Sequence, residues 1–249
     1  TMTNMRQIRE SVGVVAVDDE GDVLVVGGYY RGIYLNLVEV YKWSTGWTVM
    51  SPMNSNRASM GTAQLNDGRV LVCGGYGDGA VVSASCETYN PLADTWTPTR
   101  GSMSTARGRF AMTMLTNGSV LAAGGRISGS TVGLRLVEIF NPTDHTWAVA
   151  AELVEGRTAF GLVTLHSGSV MLFGGAVTSG ESVDGCQILD MSSGTWEVAS
   201  TTLPVAKRSF GMSVLTNGSV IMAGGIPGNV DTYIWTPSDT PTPPPSPPP

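Results

Sequence analysis

Five cations recur in this chain at one offset. Arg9, Arg57, Arg107, Arg157 and Lys207 each stand 17 or 18 residues ahead of a Gly-Gly pair. Equivalent positions of a repeat occupy equivalent places in space. If the repeat closes on itself, five positive charges ring one opening and attract an anion. A second set of candidates sits where the repeat is irregular. Tyr29, Tyr30, Arg31 and Tyr34 form an aromatic cluster with a guanidinium, and Tyr76 with Asp78, then Arg126 and Arg135, occupy the matching stretches further on. Aromatic faces beside hydrogen-bond donors suit a sugar ring or a protein epitope; the alternative for the same residues is packing of loop against loop.

Other chemistry is poorly represented. The two histidines, His145 and His166, have no cysteine or acidic pair at metal-ligand spacing, so no metal site and no cofactor is expected. Four acids follow the repeat (Glu39, Glu87, Glu138, Asp231), which points to a structural role. Glu10, Glu152, Glu155, Glu181 and Asp184 are irregular, and no two of them stand out as a general acid and base. There is no nucleophile motif and no phosphate-binding glycine loop, and the chain reads as a non-enzyme.

The elements that carry these residues are set by a strong internal repeat. Gly27-Gly28, Gly74-Gly75, Gly124-Gly125, Gly174-Gly175 and Gly224-Gly225 follow one another at intervals of 47, 50, 50 and 50 residues, a period that signals repeat architecture. Each pair ends an apolar run such as Val70–Cys73 or Val120–Ala123. A tight turn, Asp67-Gly68, Asn117-Gly118, Ser167-Gly168 or Asn217-Gly218, joins that run to an upstream one. Asn-Gly and Asp-Gly between apolar runs are strong hairpin signals, because both residues tolerate positive φ. A third run follows each pair, and Trp47, Trp96, Trp147 and Trp196 mark a fourth. Each repeat therefore reads as four short antiparallel strands.

Double glycine after the second strand, an aromatic late in the third and Trp in the fourth resemble the kelch repeat over roughly residues 5–236. That resemblance implies an all-β β-propeller, and the five repeats read as five blades. The fifth repeat lacks its Trp, and Thr1–Met5 align with Val49–Met53, so an N-terminal strand is expected to close the last blade. The alternative is a chain drawn from a ring of six or seven blades. The resemblance also offers a second reading of the cation ring, with each cation bonded to the recurrent acid or to backbone carbonyls between blades. Copper-radical oxidases share the resemblance, but they need two histidines and two tyrosines at one metal, a set that the two turn histidines do not match.

Composition narrows the partners. Net charge is −6 with a pI near 4.8, which disfavours nucleic acid and anionic membrane surfaces. No apolar run approaches a membrane span. Residues 236–249 are a separate segment in which eight of fourteen residues are proline, expected to adopt extended polyproline II. It serves as a stiff linker or, by its similarity to Ser-Pro-rich algal and plant extracellular-matrix glycoproteins, as a stalk glycosylated at Pro243, Pro244, Pro245, Ser246, Pro247, Pro248 and Pro249. Asn117 and Asn217 begin N-glycosylation sequons. Cys73 and Cys86 fall on neighbouring strands, where either a cross-strand disulfide or two buried thiols fit. The first residue is Thr rather than Met, which fits a processed secreted start or removed flanking sequence.

The expectation is thus an extracellular or cell-surface module that binds a protein or glycan ligand or assembles into homo-oligomers or filaments. An intracellular adaptor and a carbohydrate-active enzyme are the alternatives.

Overall fold

A computed structural model describes residues 4–17, 21–191, 193–228 and 231–237. Residues 238–249, with the proline candidates Pro243, Pro244, Pro245, Ser246, Pro247, Pro248 and Pro249, lie outside the described residues.

The alternation of apolar and polar residues, cut by glycine turns, produces five small antiparallel sheets. Blade one contains β1 (Gly13–Ala16) and β2 (Val23–Val26), then a short hairpin of β3 (Tyr29–Tyr30) and β4 (Ile33–Tyr34), then β5 (Val38–Lys42) and β6 (Gly46–Met50). Its main sheet has the order β1-β2-β5-β6. Blade two is β7 (Gly61–Gln64), β8 (Val70–Cys73), β9 (Cys86–Asn90) and β10 (Thr95–Pro98). Blade three is β11 (Ala111–Met114), β12 (Val120–Ala123), β13 (Val137–Asn141) and β14 (Thr146–Val149). Blade four is β15 (Gly161–Thr164), β16 (Val170–Phe173), β17 (Gly185–Asp190) and β18 (Thr195–Thr202). Blade five is β19 (Gly211–Val214), β20 (Val220–Ala223) and β21 (Thr232–Trp235). Each sheet runs in sequence order from its first strand outward. The first strands of successive blades, β1, β7, β11, β15 and β19, adjoin one another in turn, so the sheets are the blades of a propeller.

Burial is organised between blades rather than within them. Leu24, Val26, Met53, Met60, Val70 and Tyr89 form the layer between blades one and two. Similar layers lie between blades two and three around Phe110 and Phe140, between three and four around Leu153 and Phe160, and between four and five around Phe173 and Met222. The glycine pairs are needed for these layers. Gly74 has φ +62°, and a Cβ there would stand 2.7 Å from the carbonyl oxygen of Arg107 and 2.8 Å from the Phe110 ring. Only glycine lets the next blade come so near.

The expected fourth strand of blade five is not found: among the described residues that sheet has three strands. Asn4 and Met5 belong to no strand, and Thr1–Thr3 lie outside the described residues. The amide of Arg6 donates to Glu39 Oε1 at 2.8 Å, which anchors this segment on blade one. Cys73 and Cys86 face each other across β8 and β9 and are joined as a disulfide. Cys186 is a buried free thiol whose pKa burial pushes up to about 11.

Candidate functional site

The recurrent cations do not face an opening. Arg9, Arg57, Arg107, Arg157 and Lys207 are all buried. Arg9 pairs with Glu39 at 2.8 Å, Arg57 with Glu87 at 3.2 Å, and Arg107 with Glu138. Each cation also caps carbonyls that its blade's sheet leaves open: Arg57 Nη1 donates to Gly74 O and Ser85 O, and Lys207 Nζ to Gly224 O. The acid does a second job, because Glu87 accepts from the amide of Asn54 and Glu138 from that of Ser104. In blade four Gln187 replaces the acid and accepts from Val154, while Arg157 turns to Glu155 at 2.8 Å. Burial lowers the pKa of Arg9 and Arg57 and brings Arg107 to about 10, with the paired glutamates opposing that fall. The anion-ring expectation is therefore corrected: a buried cation needs its partners, and here the partners consume it.

Two residues further along each repeat, the chain reaches a different place. Ser11, Ser59, Arg109, Ala159 and Ser209 all have positive φ, between 52° and 57°. They form a daisy chain of backbone bonds in which Ser59 donates to Ser11, Arg109 to Ser59, Ala159 to Arg109 and Ser209 to Ala159, at 2.8–2.9 Å. The residue before each one is bridged to the residue that follows a glycine pair: Glu10 with Tyr29, Ala58 with Tyr76, Gly108 with Arg126, Thr158 with Ala176 and Arg208 with Ile226. These positions change identity from blade to blade, on a backbone that does not.

On the side of blades one to three they enclose a cavity of about 290 Å³ lined by Glu10, Ser11, Tyr29, Tyr34, Ser59, Tyr76, Arg109 and Arg126. Tyr29 and Tyr34 pack ring against ring with centroids 5.0 Å apart. Tyr76 lies so flat on Gly108 that a Cβ there would stand 2.5 Å from the ring. Its hydroxyl accepts a 2.8 Å hydrogen bond from Arg126 Nε. The surrounding walls desolvate Arg109 and lower its pKa, and the positive charges of Arg126 and Arg208 push it the same way. Burial, then the neighbouring Tyr29 and Tyr76, raises the pKa of Tyr34, so its hydroxyl remains a donor. The lining thus offers two guanidiniums, three phenols and two serines against one carboxylate. Such a surface favours a small ligand that carries negative charge and several hydroxyl groups.

Of the loop residues singled out from the sequence, Tyr29, Tyr34, Tyr76 and Arg126 meet in this cavity. Tyr30 and Arg31 do not: Arg31 folds over the Tyr30 ring at 5.2 Å, at the tip of the β3–β4 hairpin. Arg135 is also elsewhere, donating to Leu153 O at 2.7 Å beside Glu152. Arg109, Ser11 and Ser59 were missed. The signal that finds them is variation at a fixed repeat position: the Arg9-type position holds a cation in all five repeats, whereas the one two residues later holds Ser, Ser, Arg, Ala and Ser.

Asn117 and Asn217 are exposed in their turns, each accepting a 3.0 Å bond from the amide two residues on. His145, with φ +61°, packs on Phe140 at 5.8 Å, and no group of three or more potential metal ligands occurs among the described residues. No helix among them is long and apolar enough to cross a membrane.

A β-propeller with a polar cavity that carries two guanidiniums at blades one to three is the class that fold and site define. Comparison with solved structures agrees on the fold. The chain superposes on YjhT with a TM-score of 0.75 at 17% identity, over 90% of this chain and 75% of that one. No protein-family model matches the sequence, and no curated protein matches it.

Proposed function

We propose that this chain is a kelch-type propeller that acts outside the cell as a non-catalytic binding module and takes a carboxylate-bearing sugar unit of a glycan in this cavity. The observation that carries the reading is the placement of Arg109 and Arg126 among Tyr29, Tyr34 and Tyr76 around one cavity. A bidentate guanidinium recognises a carboxylate, while tyrosine rings and hydroxyls receive a pyranose. The extracellular setting is supported by the Cys73–Cys86 disulfide and the exposed sequons at Asn117 and Asn217. The proline-rich segment fits a glycosylated stalk that displays the propeller or links copies into a filament.

The test is calorimetric titration with galacturonate and glucuronate oligosaccharides against their neutral counterparts. Binding of the acidic series is expected to fall at least about tenfold in Arg109→Ala and in Arg126→Ala, with melting temperatures unchanged. Equal binding of neutral and acidic sugars, or indifference to both substitutions, would refute the site.

A further inference from the structure

The inter-blade interface is made four times with the same bonds, and its fifth occurrence is absent. The amides of Gly28, Gly75, Gly125 and Gly175 donate to the carbonyls of Arg57, Arg107, Arg157 and Lys207 on the next blade, at 2.7–2.9 Å. The corresponding bond from Gly225 to Arg9 is not made, nor is the daisy-chain bond from Ser11 to Ser209. Side chains tell the same story. A Cβ on Gly13 would meet Thr62 at 2.4 Å, whereas one on the equivalent Gly211 finds only the Ala223 carbonyl of its own blade, at 3.9 Å. A Cβ on Gly224 would meet nothing within 4 Å. Val14, which replaces Thr62 in the repeat, is 56% exposed, and Ile234 on the far face of blade five is 63% exposed. Ala223 and Gly224 are exposed although the matching residues of the other four blades are buried.

Two half-interfaces therefore face one gap, and together they specify what fits it. Toward blade five the occupant must offer a carbonyl at an Arg57-like position and an apolar side chain where Phe110 sits on Gly74. Toward blade one it must offer a glycine pair whose amide reaches the carbonyl of Arg9. A blade of this repeat has both faces. We propose that the gap between blades five and one holds a sixth blade, a four-stranded sheet of the same repeat, supplied by polypeptide of this protein beyond the 249 residues. The undescribed terminal residues 1–3 and 238–249 are too few for one, since a repeat spans about 50 residues. A second copy of the open ring brings five blades to a gap whose two faces both call for the same single one.

Three measurements test this. In a Cys186→Ala background, the pair Gly13→Cys with Thr62→Cys should oxidise to a disulfide under copper-phenanthroline. The equivalent pair across the gap, Gly211→Cys with Val14→Cys, should keep free thiols. In the unmodified chain the amides of Gly225 and Ser11 should exchange at least about 100-fold faster than those of Gly75 and Ser59. Placing a copy of residues 142–198 ahead of Thr1 adds the missing sheet and should bring both amides to the protection of their counterparts. Cross-linking across the gap to the extent of the control pair, or protected Gly225 and Ser11 amides in the chain alone, means the ring closes on itself and overturns the proposal. A lengthened chain that folds but leaves both amides fast overturns the choice of occupant.

Discussion

Substituting Arg107 tests the energetic logic of the blades most directly. Its guanidinium is fully buried, pairs with Glu138, donates to Leu136 O at 2.9 Å and Gly124 O at 3.3 Å, and packs 5.4 Å from the Phe110 ring. In Arg107→Ala the Glu138 carboxylate stays buried with the Ser104 amide at 2.7 Å as its remaining polar contact. Breaking a buried pair by removing one partner costs about 3–5 kcal/mol. At roughly 2–4 °C per kcal/mol for a domain of this size, melting should fall by about 6–20 °C. Glu138→Gln should cost less, about 1–3 kcal/mol, because it keeps the acceptor for Ser104; blade four already works with Gln187 at that position. Arg135→Ala breaks a pair whose side chains are 54% and 58% exposed and should change stability by no more than about 1 kcal/mol. Urea unfolding and calorimetry of the three variants supply the ranking. With its pKa lowered to about 10, Arg107 is charged in the folded and the unfolded chain throughout pH 6–8, so its titration adds no appreciable slope there. If Arg107→Ala melts within about 2 °C of Arg135→Ala, the buried pair is not what ties the strands together.

Four further outcomes are expected. Gly74→Ala should destabilise by more than about 3 kcal/mol, since its Cβ strikes the Arg107 carbonyl. Gly224→Ala should cost only the roughly 1–2 kcal/mol of a left-handed alanine, as thermal melts would show. Reduction of Cys73–Cys86, which closes a loop with a sequence separation of 13, should lower stability by about 2–3 kcal/mol, read from melts with and without dithiothreitol. Asp94 accepts from the Ser51 amide at 2.9 Å, Ser51 Oγ at 3.0 Å and Tyr89 Oη at 2.8 Å. Partial burial works against its charge, yet these bonds hold its pKa below the ordinary value. Its contribution is complete above the unfolded-state pKa and is lost as pH falls through the lower folded one; Asp94→Asn should flatten that part of an acid unfolding curve.

Much of the architecture was legible because backbone geometry forces residue type. Positive φ and close approach demand the glycine pairs, and tight hairpins demand Asn-Gly or Asp-Gly, so a count of glycines yields the blade period. The site was less legible because neighbouring residues of one repeat point to opposite fates. Arg107 turns into the blade and Arg109 into the cavity, and the difference lies in a left-handed backbone turn at Arg109, a position that holds Ser, Arg or Ala in the five repeats. The three-stranded last sheet was hidden for another reason. Whether Thr1–Met5 reaches blade five depends on the closure of the whole ring, and no local pattern encodes that.

The daisy chain separates the identity of a side chain from the connection of the backbone that carries it. Its links run from amide to carbonyl, so the bonds themselves do not depend on which side chain residues 11, 59, 109, 159 and 209 carry, provided that it tolerates a left-handed backbone. Natural drift or a combinatorial library can rewrite these letters while the backbone beneath them stays put. The repeat thus separates a variable alphabet from a repeated frame, and under the proposed function those letters set the ligand without joining the bonds that hold the frame.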